Sequence, residues 1–290
     1  MDDEEIKKAI EELHKTKIMF GSPDAPFWFV GLEEANGGPQ GAAYSLIENA
    51  LSNHRDFGKN GYLGLRKYTC SEGVCPEGCH YKRSKKSSSY LPCLYSGSDY
   101  DAGDQKTWRG YIKLLISLTH GDFTLDEVKK YQKYHLGDFA NTPNSIQSAL
   151  LELFPMHCKR GDKVDPPWPY GDLSKIKGME HFETSKKYWD TVKDNQWQKL
   201  LSVINKHEPR FVYLAGASEF ANLLGNEVPT ESRRIDTEKG GKHFESLFGK
   251  LNSTTVVTGQ HPVAWSVTNA YWRNLAAAAA SYENFGTPML

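Results

Sequence analysis

The stretch RFVYLAG, residues 210–216, is a continuous apolar run that ends in glycine. Three more runs of this kind occur in the chain: PFWFVG at 26–31, ALLELFPM at 149–156 and TTVVTG at 254–259. Short, continuous apolar runs are typical of strands that are covered on both faces, as in parallel sheets. A buried helical turn is the alternative, but the flanking Gly and Pro and the content of Val, Phe and Tyr favour strands.

Amphipathic patterns lie between these runs and predict helices. The first contains Ile6, Ala9, Ile10 and Leu13 at helical spacing, behind an acidic first turn. Strands that alternate with helices predict an α/β fold, and we expect a three-layer α/β/α sandwich with a central four-stranded parallel sheet. No internal repeat is visible, so residues 1–290 are predicted to form a single domain. The other helical patterns occupy residues 108–118, 191–205 and 267–279.

The composition is that of an ordinary globular protein with balanced charge. The chain has 290 residues, with 35 Lys and Arg against 36 Asp and Glu and a net charge of −1. This balance excludes a polycation that holds nucleic acid through bulk charge, although local basic patches remain open. The run of small apolar residues at 276–280 is far too short to span a bilayer. With five Cys and no export signal, we expect the protein to reside in the reducing cytoplasm. We also expect a monomer that makes no contact with membranes.

Polar side chains occur where three of the predicted strands end. Glu33 and Glu34 follow the glycine of the first strand, Glu152 lies within the second run, and His261 follows the last strand. Ligands of open parallel sheets bind outside the carboxyl ends of the strands, so this convergence predicts a functional site. The chain has no G-x-G-x-x-G after the first strand and no Walker glycine–lysine loop. Dinucleotide and NTP binding therefore lack their usual support.

These strand ends resemble the motifs of the uracil-DNA glycosylase superfamily, and the resemblance covers the four predicted strands. The segment GLE at 31–33 is similar to the motifs G-Q-D-P-Y and G-I-N-P-G, in which the residue two after the glycine activates water. This resemblance implies that Glu33 is catalytic, with Glu34 as the alternative because it replaces the proline of the motif. The segment HPV at 261–263 is similar to H-P-S. It implies that His261 donates to the carbonyl oxygen of the departing base as negative charge develops there.

Two aromatic residues also have counterparts in the superfamily. Tyr44, in the segment AYS at 43–45, is similar to an aromatic residue that stacks on the flipped base. Trp265, four residues after His261, falls in the loop whose apolar side chain enters the duplex. The resemblance implies these roles for Tyr44 and Trp265, and ordinary packing within the protein is the alternative for both.

Two differences from the uracil-specific members bear on the substrate. Those members have a bulky tyrosine four residues after the motif glycine, where this sequence has Ala35, followed by Asn36 and two glycines. The smaller residues leave room at pyrimidine C5. Relatives with L-L-N place an amide against uracil, where this sequence has Glu152. An ionised carboxylate only accepts hydrogen bonds and suits the N4 amino group of cytosine, while a protonated one could donate to cytosine N3. Ala35, Asn36 and Glu152 thus predict a base-binding pocket for a C5-substituted cytosine.

Together these inferences predict a monofunctional DNA glycosylase. It would flip a C5-modified cytosine, such as hydroxymethylcytosine or its glucosylated form, and hydrolyse the N-glycosidic bond, leaving an abasic site. Phage genomes supply such bases, so defence against phage is one setting, and repair is the other. We expect no catalytic cofactor and no lyase step. Three alternatives stay open: a uracil-DNA glycosylase of base-excision repair with protonated Glu152 mimicking an amide, a nucleotide or nucleoside hydrolase, and a non-catalytic module that binds DNA or protein.

Two stretches have irregular sequences. Residues 162–187 contain DPPWPY and are predicted to form an extended loop. Residues 54–104 are polar and rich in Gly and Ser, and form a predicted insertion that contains four of the five cysteines. Four thiolates could close one structural zinc site; an iron–sulfur cluster is less favoured because the spacing differs from that of iron–sulfur relatives, and free thiols or disulfides are the other alternative. The four residues are Cys70, Cys75, Cys79 and Cys93.

Contacts with DNA phosphates require local basic groups. Lys85 and Lys86 belong to the densest basic run, KRSKK at 82–86, and Lys159 and Arg160 follow the second predicted strand. A solvated loop is the alternative for such a run. If these residues contact DNA, affinity falls steeply with salt because neutralised phosphates release counterions.

Overall fold

A computed structural model of the chain describes residues 1–15, 17, 19–20, 22–32, 47–48, 51, 106–135, 148–156, 168–238, 240–262, 264 and 267–283. The α-helices in these ranges are α1 Asp3–Lys15, α2 Lys106–His120, α3 Leu125–His135, α4 Ser185–His207, α5 Ala217–Glu227 and α6 Asn269–Glu283. The strands are β1 Met19–Phe20, β2 Phe27–Gly31, β3 Ser148–Glu152, β4 Phe211–Ala215, β5 Thr230–Asp236, β6 His243–Leu251 and β7 Thr254–Gly259.

The strands form one mixed sheet in the order β1-β3-β2-β4-β7-β6-β5. Its central part, β3-β2-β4-β7, is parallel and consists of the four strands that the apolar runs predict. The prediction of a four-stranded sheet is wrong, because β1 adds an antiparallel strand beside β3, and β6 and β5 add two more beside β7. The α/β prediction is confirmed.

Helices cover both faces of the sheet and bury alternate side chains of its strands. On β2, Trp28 and Val30 belong to a core cluster with residues of α1, α4 and α5. Phe27 and Phe29 point the other way and belong to a second cluster, with residues of α2, α3 and α6. Burial on both faces is the reason that the central strands are apolar throughout rather than at every second position.

The helix predictions are confirmed, with small changes at the ends. In α1 the four predicted apolar residues are all buried, and Asp2 and Glu5 cap the first turn by exchanging bonds between backbone N and side-chain O at 2.8 Å. Helix α4 is longer than predicted because Thr184 accepts a bond from the backbone N of Lys187 at 3.1 Å and starts the helix early. No helix in the described part of the chain is both long and apolar enough to cross a membrane.

The prediction of an extended loop at 162–187 is wrong for its described part, which begins at residue 168. This part contains two short 3₁₀ helices, Gly171–Lys175 and Glu180–Glu183, and then the start of α4. Leu173 and Phe182 are fully buried and anchor these turns to the core. The indole N–H of Trp168 donates to the carbonyl of Phe182 at 2.6 Å, so aromatic packing orders a segment that its Pro content made look irregular.

Candidate active site

The carboxyl ends of the four parallel strands lie level at one edge of the sheet. Gly31 pairs with Glu152 between β2 and β3, and Ala215 pairs with Gly259 between β4 and β7. The register between β2 and β4 brings Gly31 level with Ala215. This row of four residues, the strand-end row, faces the layer of α2 and α6, because Ala215 belongs to that core cluster. Only Glu152 has a long side chain in the row, and the ring of Tyr213 covers Gly259, where an added Cβ would lie 2.7 Å from Tyr213 Cζ.

Glu152 is placed by the absence of a side chain on its neighbour. A Cβ added to Gly31 would lie 2.9 Å from Glu152 Cδ, well inside van der Waals contact. The carboxylate therefore lies over the Gly31 backbone and is half-buried at the end of β3. Glycine permits this close approach, and the backbone conformation at this position is an ordinary one.

An aromatic ring from α2 lies close to this carboxylate. Tyr111 is buried and stacks on Phe29, with ring centroids 4.8 Å apart. Burial, and to a lesser extent the negative charge of Glu152, holds the pKa of Tyr111 well above its usual range. The phenol therefore stays protonated, and the carboxylate is bordered by a neutral hydroxyl-bearing ring.

A buried lysine binds the backbone on the other side of Glu152. Lys17 Nζ donates to the carbonyl of Leu153, and to that of Glu152 at 3.4 Å. Burial lowers the pKa of Lys17 to about 7; the charge of Lys199 lowers it further and that of Glu152 opposes this. Lys17 is separated from these carbonyls by more than 130 residues of chain, so no local sequence pattern predicts the contact.

His261 lies just beyond the end of β7, as its place after the last apolar run predicts. Its backbone O accepts a bond from Ala264 N at 2.8 Å, and the next residue, Pro262, is buried. The imidazole keeps substantial exposure, yet the surrounding protein atoms remove enough water to lower its pKa below the ordinary value. At neutral pH it therefore carries one N–H donor and one acceptor nitrogen.

The other predicted site residues lie outside the described residues. These are the first-strand candidates Glu33, Glu34, Ala35 and Asn36, the aromatic residues Tyr44 and Trp265, the basic residues Lys85, Lys86, Lys159 and Arg160, and the cysteines Cys70, Cys75, Cys79 and Cys93. Residue 32, which immediately precedes Glu33, is described and continues from the end of β2. Their predicted roles stay predictions.

In the part of the chain that the structure describes, no three His, Cys, Asp or Glu side chains are grouped so that they could hold a metal ion. The predicted zinc site falls on the four cysteines of the insertion, outside that part.

Chemically, the described edge offers a carboxylate and a neutral imidazole. A carboxylate accepts hydrogen bonds from amino groups, and a neutral imidazole can donate one to a developing oxyanion.

No protein-family model matches the chain, and a search of curated proteins finds no significant relative.

Proposed function

We propose that this protein is a monofunctional DNA glycosylase that excises a C5-modified cytosine and leaves an abasic site. The observation that supports this most directly is the arrangement of Glu152 and His261. They come from strands that are not neighbours, yet both lie at the carboxyl edge of the parallel sheet. Between them the strand-end row consists of glycine and alanine, so the row itself contributes no other polar side chain.

We interpret the parallel strands β3-β2-β4-β7 as the sheet of a uracil-DNA glycosylase-like fold. The three motifs that carry the resemblance fall at the ends of β2, β3 and β7, as a shared site at the carboxyl edge requires. The additional antiparallel strands β1, β6 and β5 extend the sheet away from this site on both sides.

In the proposed reaction, His261 stabilises the departing base. As the C1′–N1 bond breaks, negative charge develops on the base carbonyl oxygen, and the lowered pKa of His261 supports a neutral N–H donor for that charge. A neutral donor avoids placing a positive imidazolium in a partly dehydrated site, which would be costly before the reaction begins.

Glu152 reads the exocyclic group of the base. Its carboxylate accepts from the N4 amino group of cytosine, whereas the O4 oxygen of uracil would face it as a second acceptor. Its carboxyl group lies over Gly31, at the same edge of the sheet as His261. Discrimination between one good and one poor pairing of this kind amounts to roughly 1–3 kcal/mol.

Hydrolysis requires a water molecule and a group that stabilises the cationic sugar. We assign both the positioning of this water and the stabilisation of the sugar to Glu33, with Glu34 as the alternative register. Carboxylates stabilise oxocarbenium-like transition states in the same way in glycoside hydrolysis. Flipping the nucleotide costs a few kcal/mol of unstacking, and Tyr44 and Trp265 are the proposed stacking and wedging groups.

A base-release assay tests the proposal. The protein is incubated with DNA duplexes containing cytosine, hydroxymethylcytosine, glucosylated hydroxymethylcytosine, thymine or uracil, and abasic sites are cleaved with alkali. We expect breaks only with a C5-modified cytosine, and loss of these breaks in Glu33→Gln or Glu34→Gln. Breaks only at uracil would support a DNA glycosylase but contradict the role of Glu152 in selecting cytosine. Release of base from free nucleosides alone would indicate a nucleoside hydrolase, and no release from any substrate would indicate a binding module.

Glu152→Gln provides a sharper variant of this assay. The amide keeps the length of the side chain but adds a donor, so it is complementary to uracil O4 and N3–H. We expect the preference for cytosine-type over uracil-type bases to fall roughly tenfold to hundredfold. An unchanged preference would mean that Glu152 does not contact the base.

A further inference from the structure

Two buried tyrosine hydroxyls bind the backbone of the residue that precedes His261. Tyr213 Oη donates to the carbonyl of Gln260 at 2.7 Å, and the backbone N–H of Gln260 donates to Tyr271 Oη at 2.9 Å. The two hydroxyl oxygens are 3.3 Å apart. Both main-chain groups of Gln260 are therefore satisfied by side chains, at the point where the ladder of β7 ends at Gly259.

These tyrosines are held rigidly by other rings. Tyr213, on β4, and Tyr271, on α6, are both fully buried. Trp272 contacts both of them edge-on, with ring centroids 5.9 Å from Tyr213 and 5.1 Å from Tyr271. Burying two hydroxyls is costly unless they are hydrogen-bonded, so phenylalanine would be the simpler choice if only packing mattered.

The chain is also fixed on the other side of His261. Pro262 is buried and packs against α2 at Gly110, where an added Cβ would lie 2.6 Å from Pro262 Cβ. The same added Cβ would lie 2.7 Å from a ring carbon of Trp272. The exposed His261 thus lies between two anchored residues, although loops at a sheet edge are ordinarily among the more mobile parts of a protein.

We propose that Tyr213 and Tyr271 are positioning residues that hold the backbone at Gln260 so that the His261 imidazole is presented in one orientation. The chemical meaning of this orientation rests on the proposed function, in which His261 donates to the departing base. A displacement of about 1 Å in such a donor can lower the reaction rate on the order of a hundredfold. A rigidly held backbone before His261 would therefore preserve the rate of base release.

Tyr271→Phe is the first test, because it removes one hydroxyl and keeps the ring. We expect kcat for base release to fall roughly tenfold to hundredfold with KM nearly unchanged, since substrate binding does not require the oriented donor. The imidazole of His261, followed by its ¹H–¹³C NMR signals, should broaden or split, and its titration midpoint should move up toward the ordinary histidine value as solvent reaches it.

Tyr188→Phe is the matched control. Tyr188 is also a buried tyrosine with a bonded hydroxyl, to His14 Nε2 at 2.8 Å, but it lies on α4 in the opposite layer. Its loss should lower stability without changing kcat or the His261 signals. Tyr213→Phe is the second variant of the pair and keeps the test valid if Tyr271→Phe does not fold. Because the two hydroxyls act on one residue, the double variant should lose less than the product of the single losses.

The outcomes separate the two proposals. If Tyr271→Phe and Tyr213→Phe leave the His261 titration and line shape as in the wild type, the positioning role is overturned, whether or not the protein releases a base. If the wild-type protein releases no base from any DNA but both variants alter the His261 signals, the positioning role stands and the proposed function fails.

Discussion

The ends of strands β3 and β7 are held in place by different kinds of buried group. At β3 a single ammonium, that of Lys17, donates to the carbonyls of Glu152 and Leu153. At β7 two phenol hydroxyls, those of Tyr213 and Tyr271, bind both main-chain groups of Gln260. One anchor is a group that carries charge when protonated, and the other is neutral when protonated.

Burial acts on the two anchors in opposite directions. It disfavours the charged form in each case, and so lowers the pKa of Lys17 to about 7 but raises the pKa of Tyr213 and of Tyr271. The end of β3 is therefore sensitive to pH near neutrality, whereas the end of β7 keeps its anchor unchanged into alkaline solution. The same physical effect makes one strand end a titrating site and the other an inert one.

The largest predicted effect is on the pH dependence of stability through Lys17. Its folded pKa of about 7 lies below the ordinary lysine value of 10.5, so between these values the unfolded chain binds more protons, and stability rises with pH. From pH 7 to 9.5 this contribution amounts to about 3 kcal/mol. Urea unfolding at both pH values measures it.

Lys17→Met is the control for this slope, because methionine fills similar space and does not titrate. The variant leaves the carbonyl of Leu153 without the lysine donor, so its absolute stability at one pH is less informative than the change between the two. Equal changes in the wild type and Lys17→Met between pH 7 and 9.5 would contradict the assignment. Lys113 also has a lowered pKa and contributes equally to both proteins. The charges of Lys17 and Lys199 interact, so the difference between the two proteins also contains the change in the Lys199 contribution.

At the β7 end, Gly259→Ala should lower stability by about 2 kcal/mol through overpacking. An added Cβ would lie 2.7 Å from Tyr213 Cζ, and this ring has no room to move because other buried rings surround it. Gly225→Ala, in α5, is the matched control: its added Cβ meets nothing within 4 Å, and we expect a change between zero and about 1 kcal/mol of stabilisation. Thermal unfolding of both variants measures these changes. An unchanged stability of Gly259→Ala would mean that the Tyr213 ring is free to move.

At the β3 end the corresponding substitution, Gly31→Ala, should cost less than about 1 kcal/mol of stability. The added Cβ would overlap the carboxyl group of Glu152, but this is the far end of a flexible side chain and can swing aside. The main effect of Gly31→Ala should be on base preference: a displaced Glu152 should abolish the preference for cytosine-type bases in the release assay. A stability loss as large as that of Gly259→Ala would show that Glu152 is as rigidly held as Tyr213.

Much of the fold follows from local sequence patterns. The continuous apolar runs predict β2, β4 and β7 to within one residue, because strands buried on both faces need apolar side chains at every position. The run at 149–156 predicts too long a strand: β3 ends at Glu152, while Leu153 and Phe154 turn toward β2 and remain buried. Burial and strand extent are different properties, and an apolar run reports only the first.

The antiparallel hairpin of β5 and β6 has no comparable signal. Strand β5 reads TESRRID, is charged, and exposes most of its side chains, as suits an edge strand that must not pair with other molecules. Its strand conformation comes from pairing with β6. Gly240 and Gly241, both with positive φ in the connection, are the local clue that was available.

For the site, strand ends are predictable and their anchors are not. The apolar runs indicate where Glu152 and His261 occur, and a parallel sheet then brings both to one edge. Tyr213 and Tyr271 are separated from Gln260 by 47 and 11 residues, and these contacts depend on how α6 packs across β4 and β7. A tyrosine inside the otherwise apolar run RFVYLAG was the one visible hint that a polar partner lies nearby.

The smallest predicted effect concerns the His261 imidazole itself, as distinct from the backbone that the two tyrosines hold. Because burial lowers its pKa, the unfolded chain takes up the proton first as pH falls, so His261 weakens stability slightly below the ordinary histidine pKa and contributes nothing between pH 7 and 9.5. In the native protein its NMR titration midpoint should lie below that of the same residue in urea. A midpoint at or above the denatured value would mean that the surrounding turn does not dehydrate the ring. The β7 end would then present an ordinary surface histidine, and the contrast with the titrating lysine at β3 would rest on the tyrosines alone.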